Sequence, residues 1–209
     1  MSIVTLNDRA VRSVTTFGSL NAGSMVFIKK LTANSSGTLS FVNGSSDVVL
    51  DSTYKEYVFT LNNMHPQTSG NNPKMTASTN TGSSYGVTAT TTDFRATHDE
   101  SGGSEGVTYR TATDLAQSTD PVHIFGGTGT GNENDECAVG IIHLFNPSST
   151  TFVKHFILRS VVAVSSNQQE DVYVAGYFNT TSAIDEIQFK MGSGDIDAGT
   201  IKLYGLKDS

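Results

Sequence analysis

The chain has 209 residues, of which 36% are hydrophobic, 9% aromatic and only 16% charged, with a formal net charge of −7. That apolar content excludes a disordered chain, and the acidic balance with scattered lysines and arginines excludes a footprint for a nucleic-acid backbone or an anionic membrane surface. A lone cysteine, Cys137, excludes an intramolecular disulfide framework, and no apolar run approaches the ~20 residues that span a bilayer.

The opening segment, MSIVTLNDRAVRSVTTFG (1–18), lacks the apolar stretch of a secretory signal, so synthesis in a cytoplasm is expected. It is too short for a core of its own and reads as an arm docking on a neighbouring subunit. Residues 19–209 read as one β-sandwich domain. SMVFIKKL and GTLSFVNG are expected to form a hairpin across TANSSG. In YKEYVFTL, Tyr57, Phe59 and Leu61 alternate with Glu56, Val58 and Thr60, the period of a half-buried strand. A loop punctuated by Pro66 and Pro73 follows, with a weaker strand near Lys74.

Residues 80–135 are the least regular. They offer a Thr-rich strand in VTATTTDF, a polar loop in HDESGGSEG, a strand or single helical turn in VTYRTATDL, and a short apolar run in PVHIF before the Gly-rich, acidic GGTGTGNENDE. AVGIIHLFNP and TFVKHFILRSVVAV are two strands joined by a turn at Asn146-Pro147. In the second, Phe152, Phe156 and Leu158 are expected on one face and Val153, His155 and Ile157 on the other. DVYVAGYF, AIDEIQFKM and GTIKLYGL complete the series, with Gly194 and Gly199 at positions that favour positive φ. Many short strands without a sustained 3.6-residue period predict an all-β, antiparallel sandwich of jelly-roll type. Strand-like to within three residues of Ser209, the final segment is expected to pair inside the sandwich.

The candidate chemistry is thin. His65, His98, His123, His143 and His155 are dispersed without metal-ligand spacing, although similar distances from the Asn-Pro turn suggest His143 and His155 as cross-strand neighbours. Glu133, Asn134, Asp135 and Glu136 have the hardness of calcium ligands, and so do Asp195 and Asp197, but each set reads more simply as turn chemistry. Asp99, Glu100 and Glu105 could supply the two carboxylates of a glycosidase, yet they sit in a polar Gly-rich loop with nothing to desolvate a general acid. Cys137 reads as a small buried hydrophobe. No catalytic, cofactor-binding or metal residues are therefore assigned and no enzyme is expected; a buried cluster of ionisable groups would contradict that reading.

LDSTYKEYVFTLNNMHP, GSSY, LFNPSSTTFVKHF and AGYFNTTSAIDEIQFKMGSGDIDAGTIKLYGLK resemble segments of virion structural and tail-fibre-type proteins of tailed bacteriophages, above all through the S-G-x-I-x-x-G-T-x-K-L-Y-G ending. The resemblance runs from about residue 13 onward. It implies a jelly-roll-like sandwich displayed on a virion assembled in a bacterial cytoplasm. The role implied is a tail-fibre, appendage or receptor-contacting component, with head decoration as the alternative. A carbohydrate-binding module, using the aromatic GSSYG loop, and a polysaccharide hydrolase stand behind these. Other virion proteins are the implied partners, with homo-oligomers, trimers foremost, and host surface glycans. The resemblance brings no catalytic residues.

Overall fold

The structure is a computed structural model that describes residues 24–125 and 129–208; the predicted arm at 1–18 lies outside the described residues. Twelve strands follow in chain order: β1 Met25–Ser36, β2 Leu39–Val42, β3 Glu56–Pro66, β4 Pro73–Ser78, β5 Ala89–Asp99, β6 Gly106–Tyr109, β7 Val122–His123, β8 Ala138–Phe145, β9 Lys154–Val164, β10 Gln168–Phe178, β11 Glu186–Met191 and β12 Ile196–Leu206. No helix occurs among the described residues.

The strands form two antiparallel sheets, one of eight strands in the order β1-β12-β3-β8-β9-β10-β5-β6 and one of four in the order β2-β11-β4-β7. Within them, β1-β12-β3-β8 facing β2-β11-β4-β7 is the interleaved double Greek key of a jelly roll. Two hairpins are added to it. β9–β10 continues the large sheet beyond β8, and β5–β6 pairs onto the far side of β10. The sandwich read from the sequence is therefore present, and its large sheet is doubled by insertions.

Alternation decides which face each strand buries. Tyr57, Phe59 and Leu61 of β3 point into the core, as do Phe156 and Leu158 of β9 and Ile201 and Leu203 of β12. Phe59 of the large sheet meets Phe41 and Phe189 of the small one edge-on, with ring centroids 5.3 and 5.5 Å away. These rings bridge the layers, each burying area worth about 2–3 kcal/mol.

The terminal segment is strand-like because β12 is an interior strand, flanked by β1 and β3. Gly199 has φ +126° where the register slips between Ala198 and Thr200, a bulge that only glycine fits easily. Gly205 lies under the Tyr54 ring, where a Cβ would fall inside the aromatic face.

Two expectations are corrected. β1 and β2 are not a hairpin: β1 runs through Asn34 and Ser35 and pairs with β12, and the chain then crosses at Gly37 into the other sheet, where β2 pairs with β11. The TANSSG stretch continues the strand because its polar side chains lie on an exposed edge, where they cost little. Phe152 does not share the core face of β9. That strand begins at Lys154, leaving Phe152 in the preceding turn and 69% exposed. Lys154 takes the core-facing place, and its ammonium donates to the carbonyls of Phe152 and Thr180 at 3.1 and 2.9 Å.

Candidate functional site

The large sheet turns one face to the core and the other outward. Register carries one row of outward side chains across all eight strands: Lys30, Lys202, Thr60, Ile141, Arg159, Tyr173, Phe94 and Tyr109. Part of this row is a stack. The Phe94 and Tyr173 rings are parallel to within 5° at 4.9 Å, and the Arg159 guanidinium lies 5.2 Å from the Tyr173 centroid. Asp171 holds Arg159 through two hydrogen bonds of 2.8 and 3.0 Å. Hydrogen bonding from Arg159 keeps the Asp171 carboxyl below the usual range.

Beside the stack, Val139 faces Val161 across β8 and β9, and Ile141 and Ile157 flank Arg159. All four are exposed, Ile157 to 55%. Two shallow depressions open on this face. One, of about 490 Å³, is lined by Thr60, Asn62, Val139, Ile141, Arg159 and Val161. The other, of about 420 Å³, is lined by Thr90, Thr92, Phe145, His155, Ala175 and Tyr177. The face is broad, mixed apolar and aromatic, and rigid because it is built on strands.

Directly behind the stack, on the inner side of β5 and β10, ionisable groups gather, contrary to the sequence expectation. Asp93 and Arg110 are 1% and 7% exposed, and Glu170 is fully buried beside Arg95. Arg110 Nη2 lies 3.3 Å from Asp93 Oδ2, and the Thr113 hydroxyl bridges them with two 2.6 Å hydrogen bonds. Burial pushes the Asp93 carboxyl up and the Arg110 guanidinium down, and each partner's charge opposes that drift. Asp93 Oδ1 and Arg110 Nη1 have no hydrogen-bond partner. Two carboxylates thus face two guanidinium groups. None of the depressions described here is lined by any of the four. The signal for the cluster was Asp93 and Arg95 two apart on one strand face, where apolar residues would be expected.

His143 faces Ile157, not His155, and its Nδ1 lies 2.5 Å from Glu56 Oε1. His155 packs against Tyr177, with centroids 5.8 Å apart. His98 is exposed at the end of β5. His123 is pushed down to about 4 by burial and by the nearby Lys74 and Arg110 charges.

The two candidate calcium loops meet. His65 Nδ1 is 3.5 Å from Asp197 Oδ2, and its Nε2 is 3.3 Å from the Glu133 carbonyl. Asn134, Glu136 and a partly exposed Cys137 line the same depression of about 350 Å³, so the cysteine is not the buried hydrophobe expected. The Glu136 carboxylate turns back on its own loop, accepting the Glu133 N–H at 2.9 Å and lying against Gly131. Asp195 accepts through its backbone carbonyl from Gln67 N at 3.1 Å. Among the described residues, no three His, Cys, Asp or Glu side chains are grouped to hold a metal ion.

Asp99 caps its turn, accepting from Gly103 N at 2.8 Å and from Ser101, and these hydrogen bonds hold its carboxyl below the usual range, the wrong direction for a general acid. Glu100 and Glu105 are exposed. Tyr85 of the GSSYG loop is pinned to the small sheet, its hydroxyl bonded to Glu186 and accepting from Gln188 at 2.8 Å.

No protein-family model matches the chain, and neither does any curated protein sequence. Among solved structures, a Bacteroides ovatus protein of unknown function is similar at 8% identity with a TM-score of 0.28, covering 50% of this chain and 44% of that one. The chain thus spans less than half the length of that protein, and a likeness of this extent bears no argument.

Proposed function

We propose that this chain is a structural, non-catalytic component displayed on the surface of a tailed-phage virion, as a tail-fibre or appendage protein, and that it assembles as a homo-oligomer, a trimer foremost. The observation that carries this reading is the outer face of the eight-stranded sheet, with Val139, Ile141, Ile157 and Val161 exposed together beside an aromatic stack. Contact with another protein would cover exposed apolar area of this kind, which supports the reading. The sequence resemblance supports it: the S-G-x-I-x-x-G-T-x-K-L-Y-G segment supplies Gly194, Gly199 and the interior strand β12, so the motif encodes the sandwich itself.

The buried Asp93–Arg110 and Arg95–Glu170 pairs are the kind of cluster that speaks against a non-catalytic reading, but they favour a second one, a polysaccharide hydrolase, only weakly. Each carboxylate already has a guanidinium partner, and none of the described depressions reaches them. Quantitative mass spectrometry of purified particles tests the proposal. A few dozen copies or fewer per particle fits a tail appendage and hundreds fit head decoration, whereas absence from particles defeats both.

A further inference from the structure

The large sheet ends at β1 on one side and β6 on the other, and neither outer edge is paired among the described residues. The two edges carry opposite charge. On the β1 side, Lys30 stands directly opposite Lys202, with Lys29 next to it, opposite Leu203 just past a bulge. None of these lysines forms an ion pair among the described residues. Like charges directly opposite one another on neighbouring strands are destabilising, and nothing described in this chain relieves them. On the β6 side, Glu100 and Glu105 are exposed in the β5–β6 turn, and Asp114 meets the Tyr109 hydroxyl at 2.7 Å. The nearby Arg95 and Arg110 are directed inward to Glu170 and Asp93.

Apolar side chains stand at both edges on the same outer face. Met25 and Phe27 of β1 are 46% and 55% exposed, and Val107 and Tyr109 of β6 are 75% and 49% exposed.

We propose that the β6 edge of one copy adds to the β1 edge of a second copy, head to tail, so that the large sheets run on as one. This takes only self-association from the reading above and is independent of where the protein is displayed. The sheet has eight antiparallel strands, an even number, so β6 runs opposite to β1. Translation along the sheet then brings the two edges together as an antiparallel pair with outer faces aligned. Setting Tyr109 opposite Met25 and Val107 opposite Phe27, and carrying the register across the bulge that follows Phe27, brings Glu105 to Lys30, with Lys29 alongside. Apolar residues meet apolar ones and the acid meets the bases. Such an interface is heterologous, and it closes into a ring when the rotation per copy permits.

The test uses the full chain, with light scattering after size exclusion at low and high salt. The wild type is expected to self-associate, less so at high salt. Lys29→Glu with Lys30→Glu should weaken association about tenfold or more, and so should Glu100→Lys with Glu105→Lys, because each places like charges at the joint. All four changes in one chain swap both edges and should restore assembly. Val107→Asp, at a site too exposed to affect folding, should weaken it too. A wild type that stays monomeric at all concentrations overturns both the self-association and this interface, and would assign the edge lysines to protection against aggregation. An oligomer indifferent to all these variants overturns the interface alone.

Discussion

Arg110 and Asp93 lie 3.3 Å apart with both side chains almost wholly out of water, bridged by the Thr113 hydroxyl. A pair so placed is weak evidence for net stability, because desolvation offsets much of the attraction, but removing one partner leaves the other charge buried and uncompensated. Arg110→Met is therefore expected to destabilise the fold by about 3–5 kcal/mol, and Asp93→Leu by a similar amount. The double variant should recover most of the loss. Urea unfolding of the three variants measures it, and equal losses that simply add would show the pair to be uncoupled.

His123 sets a second expectation, in acid. Burial, with Lys74 and Arg110 nearby, lowers it to about 4 from 6.5, and its Nδ1 is buried without a hydrogen-bond partner. Below pH 6.5 the unfolded chain takes up the proton while the folded one does not, so stability is full above that value and falls as the pH drops toward 4. The lowering corresponds to about 3 kcal/mol across that window. His123→Gln should flatten the stability profile between pH 6.5 and 4 while leaving the acid limb below 4 in place. An unchanged slope would place the acid sensitivity elsewhere.

Much of the sandwich was legible because alternation is local. Tyr57, Phe59 and Leu61 announce their face within five residues, and so do Ile201 and Leu203. The sheet to which a strand belongs is a long-range property: nothing near Gly37 says that the chain leaves one sheet for the other. The register at the Asn146-Pro147 turn failed for a related reason. The turn extends through Val153, so β9 starts at Lys154 and His143 meets Ile157. The charge cluster was hidden because Asp93, Arg110 and Glu170 come from three separate segments, which only the β10–β5 pairing and the β6 turn bring together.

Gly205 offers a third test. Its Cα sits beneath the Tyr54 ring, which in turn meets Tyr57 edge-on at 5.6 Å. Gly205→Ala forces that ring off a buried strand, an overpacking worth about 1–3 kcal/mol. Shrinking the ring as well, with Tyr54→Ala, should recover part of the alanine penalty relative to Tyr54→Ala alone. If Gly205→Ala melts at the wild-type temperature, the close approach is not a constraint on the fold.

The outer face of the large sheet gives the last expectation, one that separates folding from contact. Ile141 and Ile157 are 37% and 55% exposed and stand outside the core cluster, so making both glutamate should cost the isolated protein less than about 1 kcal/mol. In a particle assembled as proposed, the same changes would bury two carboxylates against a neighbour without a partner, at several kcal/mol each. The variant is therefore expected to fold and melt close to the wild type, yet to be lost from purified particles. Arg159→Ala, which removes a solvated ion pair with Asp171, should have the smaller effect on both, because exposed pairs contribute about 1 kcal/mol or less. Incorporation of the double glutamate variant at wild-type level would mean that the neighbour contacts some other surface.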